Sequence, residues 1–124
     1  KGLEAVEKGI ETAAQVEMSF LEKGLIIMAS VVVVAPMLGF LGTVSGMINA
    51  FGAIAAAKNV EASLVASGIQ EALITTAAGL MIAIPIQLMY NWYVSLIGRY
   101  VIDMEEASSF LIDTLSDMEL LKKL

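Results

Sequence analysis

Residues 68–85 read GIQEALITTAAGLMIAIP. Glu71 is the only side chain charged at neutral pH between Glu61 and Arg99, and Thr75 and Thr76 follow it one helical turn later. A carboxyl group costs a few kcal/mol to place in hydrocarbon, so within a membrane it faces a partner or a wet cavity. The stretch therefore predicts a membrane helix with an ion path, or its gate, at Glu71. The neighbouring residues support a span: from Ala72 to Gly98 there is no charge at all, and residues 24–57 form a second uncharged run. Both exceed the roughly 20 apolar residues that cross a bilayer.

Composition agrees with this reading. Of 124 residues, 58% are hydrophobic, and mean hydropathy is +0.82, above the roughly half-apolar norm of soluble domains. A soluble helical hairpin is the alternative, but its helices need a polar face that these runs lack. The fold class expected is an all-α membrane protein: two long transmembrane helices in a hairpin, with helical extensions outside the bilayer. Net charge is −6, with the acidic residues gathered toward the two ends. No basic cluster points to nucleic acid. Cys and His are both absent, which excludes disulfides, thiolate zinc sites and imidazole chemistry. With no acid–base pair in sequence either, no enzyme, catalytic residue, metal or cofactor is expected.

In chain order, residues 1–23 carry Leu3, Val6, Ile10, Ala13 or Ala14, Val16 and Phe20 at helical spacing among Glu4, Glu7, Lys8 and Glu11. They predict an amphipathic helix outside the membrane. Residues 24–57 predict the first span, kinked at Pro36. Its Pro36, Gly39, Thr43, Gly46, Ala50, Ala53 and Ala57 repeat at 3–4 spacing, and Gly42 with Gly46 adds a GxxxG pair. Small faces let helices approach closely in lipid. Thr43 is the hydroxyl within that stripe; Ser45 and Asn49 lie one turn apart on another face. Residues 58–61 predict a turn.

Residues 62–98 predict the second span, kinked at Pro85, in which Ala72, Thr76, Gly79 and Ala83 repeat the small pattern beside Glu71, Thr75 and Ala78. Tyr90, Trp92 and Tyr93 suit an interfacial belt. Residues 99–124 predict a second amphipathic helix, its stripe running through Val101, Met104, Ala107 or Ser108, Leu111, Leu115, Met118 and Leu121, packed on the N-terminal one. Lys1, Lys8, Lys23, Arg99, Lys122 and Lys123 flank the outer ends of the spans, against Lys58 alone in the turn. The positive-inside rule then puts both ends in the cytoplasm and the turn in the periplasm.

Two motifs carry a resemblance. APMLGFLGTVSGM (35–47) resembles the second membrane helix of the ExbB/TolQ/MotA proton-channel family. GIQEALITTAAGL (68–80), followed by AIP (83–85) and Tyr90-Asn91, resembles the third. The likeness covers roughly residues 21–113 and is nearest to ExbB and TolQ. It implies a multi-pass subunit of a bacterial cytoplasmic (inner) membrane motor, present as a homopentamer. The pentamer surrounds single-span helices of an ExbD- or TolR-like partner that carries a membrane aspartate. Ion flow drives mechanical work, with a TonB- or TolA-like protein further along. Matched residue by residue, Thr43, Glu71 and Thr76 fall on the family's pore threonine, glutamate and second threonine; Thr75 joins them by helical position. Gly39, Gly42, Gly46 and Gly79 are expected to pack helices. The family's first membrane helix has no counterpart here, Ser45 stands where a bulky residue is frequent, and Ser67 where proline is. The residues leave proton and sodium open, and leave two other readings: a membrane scaffold without motion, and a self-contained ion channel without a moving partner.

Overall fold

The computed structural model describes residues 2–124, and among them it contains two α-helices and no strand. Helix α1 spans Gly2–Ala57 and α2 spans Ala62–Lys123. No break separates the charged stretches from the apolar ones. Pro36 and Pro85 both lie inside helix; each removes one i→i−4 hydrogen bond without ending its helix. Four residues connect the helices. Lys58 adopts a left-handed conformation (φ 53°), the usual way to terminate a helix just beyond its last turn. The Glu61 carbonyl then accepts from the amides of Leu64 (3.1 Å) and Val65 (3.5 Å) to start α2.

The residues divide into two compact units. The first, residues 27–90, holds every buried residue among those described: Ala35, Gly39, Gly46 and Ala50 on α1, and Gly68, Ala72, Gly79 and Ala83 on α2. Ala35 meets Gly79, Gly39 meets Thr75 to Gly79, and Gly46 meets Gly68 and Ala72. Ascending numbers on one helix thus meet descending numbers on the other, so the two form an antiparallel hairpin. The core is a seam of backbone against backbone with no large side chain in it.

The second unit, residues 2–26 and 91–124, has no fully buried residue among those described. Its partly buried positions include Leu3, Ile10, Ala14 and Met18 on α1, and Val101, Ser108, Ile112 and Leu115 on α2. The spacing is the narrow heptad seam of paired helices. Here the structure departs from the stripes read in sequence. Val6, Val16 and Phe20, and Met104, Leu111, Met118 and Leu121, are exposed instead. A contact between two helices covers only a narrow strip, whereas the apolar sectors of these segments are wider than that.

Each helix holds a window long and apolar enough to cross a membrane, and only 6% of the window in α1 and 17% of that in α2 is buried within the chain. A soluble protein's core helix would be mostly covered by its own fold. The chain is an all-α membrane protein.

Candidate functional site: polar groups in two paired spans

The seam sets the geometry of the polar residues. A Cβ on Gly46 would lie 2.6 Å from the Gly68 carbonyl oxygen, one on Gly79 2.6 Å from that of Ala35, and one on Gly39 2.9 Å from that of Thr75. At that separation a short side chain on one helix reaches the backbone of the other. Thr43 and Thr76 do so: their hydroxyls bond to each other across the seam. Both also lie near the same two carbonyls. Thr43 Oγ1 is 3.3 Å from Ala72 O and 3.4 Å from Gly39 O; Thr76 Oγ1 is 3.1 Å from Ala72 O and 3.4 Å from Gly39 O. Two hydroxyl protons are shared between the two threonine oxygens and two backbone carbonyls here. One proton bridges the threonines and the other goes to a carbonyl, so the pair has two equivalent arrangements related by exchanging donor and acceptor.

Thr75 behaves differently. Its hydroxyl donates back to its own helix, to Ala72 O at 2.9 Å or Glu71 O at 3.0 Å. Its side chain occupies the space that a Cβ on Gly42 would need. Gly42 and Thr43 differ by one residue, or about 100° around α1, and so do Thr75 and Thr76 around α2. The contacts Gly42–Thr75 and Thr43–Thr76 therefore lie on opposite flanks of the seam. Glu71, one turn before Thr75, follows Thr75 to the Gly42 flank, where it is exposed. The structure thus brings Thr43 and Thr76 into contact and turns Glu71 and Thr75 to the other side.

Two further polar residues share the Glu71 flank. Ser45 is three residues beyond Gly42, and Asn49 four beyond Ser45, so both project to that side; both are exposed. Sequence reading placed them together but could not say which face of the hairpin they occupy, because that depends on the register with α2. It also left Gly68 out of the packing set. Gly68 is buried against Ala50 and Gly46, and its position four before Ala72 continues the small-residue repeat.

Residues 1–106 match the model of the MotA/TolQ/ExbB proton channel family. The chain belongs to this family. It is 37% identical over 113 residues to the Tol-Pal system protein TolQ of Pseudomonas aeruginosa, covering 88% of this chain and 49% of that protein. It is 42% identical over 92 residues to the Tol-Pal system protein TolQ of Haemophilus influenzae (71% and 40%). With a putative biopolymer transport protein ExbB homolog of Methanothermobacter thermautotrophicus it is 37% identical over 119 residues (96% and 37%). The chain thus spans half or less of the length of these relatives. Both spans, the threonine pair and Glu71 all fall within the family match.

Proposed function

We propose that the chain is a subunit of an ion-motive-force-driven motor of the bacterial inner membrane, of ExbB/TolQ type. It assembles as a pentameric channel around single-span helices of an ExbD- or TolR-like partner. Proton flow past a membrane aspartate of that partner drives mechanical work, such as energising outer-membrane transport through a TonB- or TolA-like protein. Residues 24–57 and 62–98 are the spans, 58–61 the periplasmic turn, and 1–23 and 99–124 cytoplasmic helices.

The observation that carries this reading is the polar set itself. A carboxylate on one flank and a bridged threonine pair in the seam sit within two helices otherwise fit only for lipid or close packing. One charge crossing 100 mV releases about 2.3 kcal/mol. A path driven by so small a step works only if no site along it holds the ion tightly. Hydroxyls suit that need because each donates and accepts, and the exchangeable Thr43–Thr76 pair offers both. Glu71 and Thr75 border the path from one flank of the seam and the threonine pair borders it from within the seam, and Glu71 sets its field.

The test is Glu71→Ala in the native membrane. Ion-driven work is lost while the oligomer persists. Loss of the oligomer would make Glu71 structural, and undiminished work would remove it from the path.

A further inference from the structure

Residues 63, 67, 71 and 75 are Ser, Ser, Glu and Thr, a row of polar side chains on α2 with one helical turn between successive members. The row starts beside the turn that holds Asn59 and Glu61. Ser63, Ser67 and Glu71 are exposed, and Thr75 is partly covered by its contact with Gly42. Continued by fours, the row reaches Gly79 and Ala83, both buried in the seam. It is open at the turn end and closed at the other. Helix α1 adds Ser45 and Asn49, exposed on the Glu71 flank, with Asn49 nearer the turn. A Cβ on Gly52, three residues further toward the turn, would meet nothing within 4 Å. Past Thr75 the flank changes character: Leu38, four before Gly42, and Ile82, seven after Thr75, are exposed and apolar.

Depth is as one-sided as polarity. Ten residues carry α2 from Glu61 to Glu71, about 15 Å, whereas nineteen carry it from Glu71 to Tyr90 in the interfacial belt, about 28 Å. A carboxylate in hydrocarbon is costly, so this flank is wet or covered by polar groups. The spacing favours water. Side chains one turn apart stand about 5–6 Å from each other. A water bridging two hydroxyls makes two bonds of about 2.8 Å, so one molecule fills each step of the row.

We propose that Glu71 is open to water from the turn side of the membrane, through an inlet lined by Ser63, Ser67 and Asn49, and is sealed from the other side by the apolar groups past Thr75. This rests on the ion path proposed above and gives it a direction. The ion reaches Glu71 from the turn side, and its onward route is not along this flank of the hairpin.

The chain has no cysteine, so introduced thiols report cleanly. Single variants of the full chain are placed in the native membrane: Ser67→Cys in the inlet, Ile69→Cys on the other side of the buried Gly68 at nearly the same depth, and Ile82→Cys on the polar flank past Thr75. Val60→Cys, in the turn, marks the face of the membrane on which the turn lies. A cationic, membrane-impermeant methanethiosulfonate is added to one face in spheroplasts and to the other in inverted vesicles. It reacts with the thiolate, a form that apolar surroundings suppress. Ser67→Cys should be modified from the Val60 face roughly tenfold or more faster than Ile69→Cys or Ile82→Cys from either face. Equal rates at Ser67→Cys and Ile69→Cys would place the whole band outside hydrocarbon. Rapid modification of Ile82→Cys would mean a water path past Thr75, and slow modification of Ser67→Cys in an inserted chain would mean that protein covers the flank. Each of these overturns the proposal. Proton flux through vesicles carrying the unmodified chain is read in parallel. The expected labelling without flux sinks the motor reading and leaves the inlet standing; flux without that labelling does the reverse.

Discussion

Gly46→Ala tests the seam most directly. The added methyl would sit 2.6 Å from the Gly68 carbonyl oxygen, 2.9 Å from the Ala72 amide nitrogen and 3.1 Å from the Ala72 Cβ. Ordinary contact begins near 3.4 Å, and two of these neighbours are backbone atoms that no rotamer change can move. The helices must separate by roughly 0.8 Å at this level, and a radial gap of about 0.5–1 Å forfeits a quarter to a half of each dispersion well it opens. The same separation lengthens the Thr43–Thr76 bond one turn away. Overpacking of this kind costs about 1–3 kcal/mol. Replacing helical glycine by alanine also gains about 1 kcal/mol of propensity, so the variant needs a control with the same gain. Gly52→Ala provides it, since its methyl meets nothing within 4 Å. The measurement is reversible unfolding of both variants in mixed micelles. Gly46→Ala should be less stable than Gly52→Ala by about 1–3 kcal/mol. Equal stabilities would mean that the spans are not held at the separation described, and the assignment of the threonine pair would fall with them.

Three other outcomes follow from the same geometry. Thr43→Val and Thr76→Val, singly and together, should show a coupling of about 0.6–1.7 kcal/mol in a double-mutant cycle, the range for hydrogen bonds between membrane helices; additive effects would mean that the hydroxyls do not bond. Glu71→Gln keeps the acceptor oxygen but not the charge, so the oligomer should persist on native gels while proton flux in vesicles falls at least tenfold. Lys58→Gly relieves a left-handed residue that costs roughly 1–2 kcal/mol in any L-amino acid with a Cβ, and should raise unfolding stability by about 0.5–1 kcal/mol after glycine's greater chain entropy is subtracted.

The two helices and their antiparallel pairing could be read from charge-free runs and a four-residue turn, because hydrocarbon leaves the backbone few alternatives. The small-residue repeats of α1 and α2 were legible for the same reason: Gly39, Gly46 and Gly79 recur at the period of a helix face. What sequence could not supply was the register between helices. Glu71, Thr75 and Thr76 occupy adjacent stripes of one helix, so on that helix alone they read as one polar sector. Once Gly42 is set against Thr75 and Thr43 against Thr76, the sector is split by the seam. The outer segments failed differently. Their apolar stripes are real, but a lone pair of helices covers only part of each, so Phe20 and Leu111 stay exposed.

The composition of the seam also bears on how such a hairpin can take part in motion. Its buried residues are glycine and alanine, and the threonines beside them are fixed by carbonyls and by each other. None of the buried residues has a rotamer to change, and a slide along the axis would drive Cα atoms and carbonyls into one another at Gly39, Gly46 and Gly79. Residues 27–90 therefore respond to load as one body. Under the proposed function, the effect of an ion at Glu71 is not passed through the seam by rearranging it. It acts outward, on whatever lies against the exposed flank. Under the proposed function, the Glu71 carboxylate therefore works by changing how the hairpin meets its neighbours, not how its own two helices meet each other.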